Sequence, residues 1–593
     1  MSLFAGLVVS HGATAAANPL VRSIAGLMER NGSQRIETYA CDRIWIAKRD
    51  LGVFGSSGVY RGADGSITVV TGDPILNDPN PSSHRTRLAD VTRLNQAFVC
   101  ANESILREAR GVFALVHANP GPSPVVLATD HLGIRPLYVY TSAEFIAFSS
   151  QLLLLRDLLG LGLCSRGSVE MAALGYPLGR RTPVQDILRL GAAEVLEIGP
   201  NLRSIFHRYW SWDTDIRENG GAPPSSVMRK DLDEAVYGEF KRSVQVRLGS
   251  DRTAVSYLSG GLDSRAIVAL LRDKEVEVSS HNFSIPGQQD HLIGEAIARA
   301  LGTDHTFAPR KLPVELWLGD WSFLLRQSLE RSRPAIATPP RPRLVWSGDG
   351  GSVAVGGVYL DSTIAKTLER AGEHGAATLL APGLPRKLLG PTSTKRMASY
   401  VHAGIVEELS GIGHPDSLRR LYLFFLLNDQ RRHLDGHFEF LDEHEIEFHL
   451  PFFDSFFLKL LGSIPVSRIQ KHAFYYDWLT LFPAETRSVP WQAYPSHLPC
   501  PLPPLSAAPD QWSDNQEAAA AGVFKRARRL RRGQAIRMLR SPAFPSSVVS
   551  RIRFITMMIL DQSGIRDYDH PFRFVRRLHV FNGGAIERIN IRE

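Results

Sequence analysis

The stretch from Thr253 to Arg272 constrains this chain more than any other. Thr253 to Leu258 reads as a strand, Ser259-Gly260-Gly261-Leu262-Asp263-Ser264 is a glycine-rich turn, and Arg265 to Arg272 has helical spacing. A second strand over Val278 to Ile285 and a helix near His291 to Leu301, ending at Gly302, complete a strand–loop–helix–strand–helix pattern. Such a unit requires a parallel sheet. A glycine-rich turn between strand and helix is an anion site. The N–H groups of Gly260 and Gly261 can approach a phosphate with no Cβ in the way, and the helix turns its positive end toward the same point. Ser259 and Ser264 can add hydroxyl hydrogen bonds, and Asp263 can hold Mg²⁺, which favours carboxylate oxygens shared with phosphates. No lysine follows the glycines, so the loop is not the kind that serves γ-phosphate transfer.

A chain of 593 residues exceeds one compact core. The first 200 or so alternate short β-type runs (Ile67 to Val70, Val112 to Val116, Val125 to Ala128, Leu137 to Tyr140, Phe145 to Phe148) with Gly, Pro, Asp and Ser turns. The polar stretch Arg217 to Ser226 is the best linker candidate. Leu232 to Leu248 is helical in spacing, and from about residue 415 onward the apolar spacing is mainly helical. The apolar N-terminus has no positive leader and predicts a buried first strand. No apolar run spans a bilayer. Cys41, Cys100, Cys164 and Cys500 are scattered, which fits neither a disulfide framework nor a zinc site and suits a reducing cytoplasm.

The net charge of +8 is local. Ten Lys or Arg and no acid fall between Ala518 and Leu560, which leaves the remainder slightly negative. The centre of the patch, Lys525 to Arg532, reads as a solvated helical face or, more sharply, as a dock for an acidic peptide or partner. No nucleic-acid reader motif accompanies it.

Ser-Gly-Gly-Leu-Asp-Ser resembles the pyrophosphate-binding loop of the asparagine synthetase superfamily, whose members cleave ATP to AMP and pyrophosphate. Phe283-Ser284, where the family receives adenine, follows in order. So do Asp290, Glu295 to Ala298 and Leu301 to His305. Ser347-Gly348-Asp349-Gly350-Gly351 resembles the second glycine-rich loop. Glu447-Phe448-His449-Leu450-Pro451-Phe452-Phe453-Asp454 is similar to the Glu-x-Arg-x-Pro-Phe-x-Asp signature, and Lys471 falls near the family's phosphate-contacting lysine. In the N-terminal part Gly111 to Ala114, Asp130 to Tyr138 and Phe148-Ser149-Ser150 resemble the family's glutaminase domain. The resemblance implies an α/β protein in two domains. Residues 1–212 would be a glutaminase-like αββα sandwich, and 213–593 a PP-loop, Rossmann-like synthetase domain with a parallel sheet. It also implies ATP and Mg²⁺ as cofactors, with the nucleotide at Leu258 to Ser264, Phe283, Ser284, Ser347 and Gly348. Asp263 would be the metal ligand, and Asp349 and Lys471 the catalytic pair.

The departures are as informative. Ser2 stands where the family's N-terminal cysteine belongs, and Thr71-Gly72-Asp73 replaces Asn-Gly-Glu, whose Asn helps form the oxyanion hole. Losing one such donor costs roughly a hundredfold to a thousandfold in rate. The glutaminase domain is therefore expected to be inactive. Ser352 and Val353 replace acids that follow the second loop, and His449 replaces an arginine. A silent glutaminase beside an adenylating domain is similar to the lasso-peptide macrolactam synthetases and the β-lactam synthetases. The latter typically place tyrosine at the position of Asp349, so the lasso branch is favoured. That implies a precursor peptide as substrate, with a leader-binding protein and a leader peptidase as partners, and neither nucleic acid nor membrane. The alternatives are a related ligase using ammonia or a small amine, and a degenerate ATP-binding regulator. His444 and His449 are five apart rather than four, so they do not form a zinc-protease pair.

Overall fold

The computed structural model describes residues 2–12, 14–15, 18–29, 36–77, 85–213, 226–309, 320–331, 341, 343–381, 391–492, 517–566 and 568–584. Most of the linker candidate, Cys500 and the side chains of Lys525 to Ala527 lie outside this set.

The N-terminal part holds two antiparallel six-stranded sheets. The first contains β1 (Ser2–Val9), β2 (Ile36–Cys41), β3 (Ile44–Asp50), β8 (Tyr138–Thr141), β9 (Phe145–Ser149) and β10 (Ile187–Arg189), in the order β10-β8-β9-β1-β3-β2. The second contains β4 (Val59–Arg61), β5 (Ile67–Gly72), β6 (Phe113–Ala118), β7 (Val125–Thr129), β11 (Glu194–Ile198) and β12 (Ser204–Arg208), in the order β12-β11-β7-β6-β5-β4. Side chains alternate faces along a strand, and β1 uses both. Phe4 and Val8 enter the core between the sheets with Phe148, Val69 and Leu127, whereas Leu3, Ala5 and Leu7 face the opposite way into the larger core. Gly6 shares the inner face and must be glycine, since a Cβ there would collide with the ring of Phe148. Helices α1 (Leu20–Met28) and α3 (Leu152–Leu159) cover the first sheet, and α2 (Arg87–Val99) covers the second. This is the expected αββα layering.

The second part begins with α5 (Ser226–Leu248), after α4 (Ser165–Leu174) of the first. Its sheet is parallel, in the order β15 (Asp304–Phe307), β14 (Glu277–Asn282), β13 (Thr253–Tyr257), β16 (Leu344–Trp346), β17 (Glu447–His449). The α/β fold expected from the glycine loop is therefore present. One local expectation needs correction. The strand predicted to reach Ile285 ends at Asn282, which pairs with Phe307, the last residue of its partner strand β15. After residue 415 the described chain is mainly helical, as expected, with Glu447–His449 adding an edge strand to the parallel sheet.

Helix α6 (Asp263–Asp273) follows the glycine loop, and α7 (Gln289–Leu301) ends on Gly302 in the left-handed conformation. The last three helices are α8 (Glu517–Arg540), α9 (Arg551–Gln562) and α10 (Asp569–Phe581). Arg531 ties them together by reaching Asp561 on α9 and Asp569 on α10, while α10 packs on α4 of the N-terminal part. No helix among the described residues is long and apolar enough to cross a membrane.

Candidate active site

The parallel sheet places three chain segments at its carboxyl edge, where ligands of such sheets bind. After β13 the loop from Leu258 turns into α6. The N–H of Ser259 donates to Ser264 Oγ at 3.0 Å, and the two hydroxyls lie 3.1 Å apart. The glycine N–H groups behave differently from expectation. Gly260 donates to Asp290 Oδ1 at 2.7 Å and Gly261 to Ser259 Oγ at 3.2 Å, so side chains take both donors. Gly260 is glycine because it abuts the start of α7, where a Cβ would press on Asp290 and Ile293. The donors left for an anion are those of the opening turn of α6, whose N–H groups lack intrahelical acceptors.

The second loop leaves β16 and packs directly on the first. At Gly348 and Gly351 a Cβ would strike Asp263, and Gly350 sits at φ +96°. Asp263 is thereby enclosed. Its Oδ2 accepts from Ser352 Oγ at 2.5 Å, so Ser352 occupies the position expected for a second acid. Burial pushes the Asp263 carboxyl up to about 6, against the hydrogen bonds of Ser352 and Tyr475. One carboxylate with hydroxyl neighbours is a hard-oxygen donor set. It fits Mg²⁺, which takes one or two carboxylates and fills its remaining positions with phosphate and water.

Ser347 Oγ donates to Asp349 Oδ2 at 2.5 Å, and Asp349 Oδ1 lies 3.2 Å from His433 Nε2. Burial alone would raise the Asp349 carboxyl. The hydrogen bond and charge of His433, with help from Ser347, hold it below the usual carboxylate range. The low polarity of the cavity opposes protonation of His433, whose side chain is half exposed, but the Asp349 hydrogen bond and the charges of Asp349 and Asp429 raise its basicity. His433 ends a short helix, Arg431–His433, that follows a π-turn over Phe425–Gln430. Motif reading missed it. The only local signal is the irregular backbone, since π-turns collect at functional sites.

Leu258, Ser259, Phe283, Ser347 and Asp349 line a cavity of about 660 Å³, together with Asp290, Asp429 and His433. Gly260 to Ser264 and Gly348 form the packed loops behind its wall, and Ser284 is buried beside it. Lys471 is not among the lining residues. It is exposed, at φ +53°, in a turn whose flanks pack on Gly356 and Gly357. The far wall comes from Met171, Leu174 and Tyr176 on the N-terminal side and from Arg577 and Phe581 of α10.

The Glu447–Asp454 signature joins the two parts of the chain. Arg135 donates to both oxygens of Glu447 at 2.8 and 3.0 Å and to Thr71 Oγ1 at 2.5 Å. Arg110 and Arg247 converge on Asp454. His449 is buried against Trp346, and burial holds it neutral. Among the described residues a void of about 20 Å³ lies next to Thr71, lined by Gly72, Asp73, Arg135 and Glu447. The backbone of Ser2 pairs with Asp50 at the end of β1. Among the described residues one trio has metal-ligand spacing, Glu103, Glu197 and His207, on the second sheet and its flank rather than at the loop.

Residues 235–310 match the asparagine synthase family model, and residues 85–157 match the glutamine amidotransferase domain model. The chain is similar to the glutamine-hydrolyzing asparagine synthetase of Gallus gallus, at 26% identity over 33% of this chain and 34% of that one. It is also similar to asparagine synthetase 3 of Bacillus subtilis, at 24% over 36% and 34%. A Methanocaldococcus jannaschii protein bearing the same family name aligns at 25% over 30% and 34%. The chain thus spans about a third of the length of the curated relatives it matches. Along the chain a match to the glutamine amidotransferase domain is thus followed by a match to the asparagine synthase domain.

Proposed function

We propose that the chain is an ATP-dependent, AMP-forming carbon–nitrogen ligase. It would activate an Asp or Glu side-chain carboxylate of a precursor peptide as an adenylate, and the peptide's N-terminal amine would close a macrolactam. The observation that carries this reading is the Asp349–His433 pair standing in the cavity onto which Ser259 and Ser347 open.

In this reading the opening turn of α6 and the hydroxyls of Ser259 and Ser264 hold the pyrophosphate end of ATP. Phe283 packs beside the base. Asp263 and Ser352 would hold Mg²⁺, which would supply charge neutralisation at the phosphates when bound. Asp349, kept ionised by His433, attracts the incoming ammonium and takes one proton from it at Oδ. The freed amine then attacks the acyl carbon, the acyl–oxygen bond to AMP breaks, and AMP leaves with that electron pair while the second N–H proton passes to solvent. The N-terminal part and α10 supply the far wall, which leaves room beyond the nucleotide for an acceptor chain. Holding carboxylate and amine in one cavity provides effective molarity, and enclosure limits hydrolysis of the activated acid.

The nitrogen is read as arriving with the substrate, because Ser2 and Thr71 stand where the nucleophile and the oxyanion donor are expected and Arg135 donates to Thr71. Pyrophosphate release from ATP, measured with candidate peptides, ammonia and small amines, is the test. Peptide-dependent release with loss of one water from the peptide mass supports the macrolactam reading. Release with ammonia alone favours a simpler amide ligase. No release under any acceptor condition overturns both and leaves a nucleotide-binding regulator.

A further inference from the structure

Among the described residues eleven large hydrophobic side chains are exposed. Five of them are isoleucines of the C-terminal helices and the segment after α9: Ile536, Ile552, Ile555, Ile559 and Ile565. The three most exposed of the eleven are Ile552, Ile565 and Ile559, at 76%, 73% and 63%. On α9, Ile552, Ile555 and Ile559 fall at i, i+3 and i+7 and form one outward stripe, while Phe554, Met557 and Met558 take the inner face. Arg551 and Arg553 flank the stripe, each about 100° around the helix from Ile552. On α8 the exposed residues Arg529, Arg532, Ile536 and Arg540 form a ridge of similar period. The two helices run antiparallel, since Gln562 reaches the carbonyl of Arg528 and Arg551 that of Leu539.

Singly scattered apolar residues on a surface need no explanation, whereas an aligned stripe framed by one sign of charge does. We propose that this face of α8 and α9 rests on an anionic membrane surface. The isoleucine stripe would enter the interfacial layer and the flanking guanidiniums would meet lipid phosphates. Nucleic acid would use the guanidiniums but give the isoleucines no apolar refuge. A protein partner would need a groove shaped to a convex ridge. A continuous plane of negative charge over hydrocarbon satisfies both features, and it matches a segment, Ala518 to Leu560, with ten cations and no acid. The sequence offers no apolar span and so suggested no membrane partner; a peripheral contact needs none. Because α10 packs with α8 and lines the reaction cavity through Arg577 and Phe581, the contact would bring that cavity near the bilayer.

The full chain should float with vesicles of phosphatidylcholine containing about 30% phosphatidylglycerol, and not with pure phosphatidylcholine, with binding that weakens as salt rises. Changing Ile552→Ser, Ile555→Ser and Ile559→Ser together should lower partitioning by about tenfold or more. Arg529→Gln with Arg532→Gln should lower it severalfold. All these side chains face solvent, so an unchanged melting temperature verifies that the variants fold. The proposal is overturned if the parent chain ignores anionic vesicles, if it binds neutral ones equally, or if the isoleucine variant binds as the parent does. It is also overturned if the parent chain binds a partner protein through the stripe while leaving vesicles untouched.

Discussion

Asp349 and His433 meet at 3.2 Å across the wall of the main cavity, and each changes the other's proton affinity in the direction that favours the ion pair. Replacing His433→Gln removes the charge that keeps Asp349 ionised against burial. Amide formation should fall by about a hundredfold while ATP binding persists. The acidic limb of the rate–pH profile should move to higher pH, because Asp349 then titrates later. A limb that stays in place would show that His433 does not position the proton acceptor.

Asp263 is closed in by Gly348, Gly351 and Ser352, where the two loops pack on each other. Asp263→Asn keeps the shape and removes the charge, so it should abolish Mg²⁺-dependent pyrophosphate release, a loss of about a thousandfold or more. Full activity in this variant would remove the metal from this site. Ser352→Asp should lower the Mg²⁺ concentration needed for half-maximal release, since it adds the second carboxylate that Mg²⁺ sites often use.

The strand–loop–helix unit was legible because it is local: strand spacing, glycines and helix periodicity lie within about 20 residues, the scale on which such patterns operate. The sheet-rich character of the first 200 residues was legible in short β-type runs between turns, whereas the sandwich followed from the resemblance, since strands such as Ile67–Gly72 and Phe113–Ala118 are buried on both faces and show no alternation. What could not be read is tertiary. The partner of Gly260 is Asp290 on the next helix, so the glycine that looked free to bind an anion serves helix packing. His433 carries no motif and reaches Asp349 only through the π-turn and short helix that precede it. The signature at Glu447 to Asp454 was visible, but its work as a clasp depends on Arg110 and Arg135 from the other part of the chain. Lys471 sits in a left-handed turn and is not among the residues that line the cavity.

Arg135 and Glu447 are each 2% exposed and form a bidentate pair between the two parts. Removing one partner strands a buried charge, so Arg135→Met should destabilise the chain by about 3–5 kcal/mol in denaturant unfolding. Arg135→Met combined with Glu447→Leu should recover much of that loss. A single-variant cost under about 1 kcal/mol would mean that water reaches the pair.

Lys48 is 1% exposed and donates to the Val70 carbonyl at 2.8 Å beside Asp50. Burial and the nearby Arg87 lower its amine to about 7. Folding thus favours the neutral amine, and the unfolded chain binds the extra proton between pH 7 and the ordinary lysine range. Stability from this group therefore rises with pH across that window and is lost as pH falls toward 7. The stability difference between the parent chain and Lys48→Met should shift toward the parent by about 2 kcal/mol from pH 7 to pH 9. A flat difference would show that the amine stays charged in the fold.

Glutamine hydrolysis should be absent, and restoring the family's residues should not revive it. Ser2→Cys with Thr71→Asn would return the nucleophile and an oxyanion donor, but Arg135 would still fill the ground between Thr71 and Glu447. The void there, about 20 Å³, holds one water at most, since a single water needs roughly 10–15 Å³ of such volume. Ammonia release from glutamine by the double variant would show that this wall opens. Release only after Arg135→Ala is added would identify Arg135 as the plug, at the cost in stability argued above.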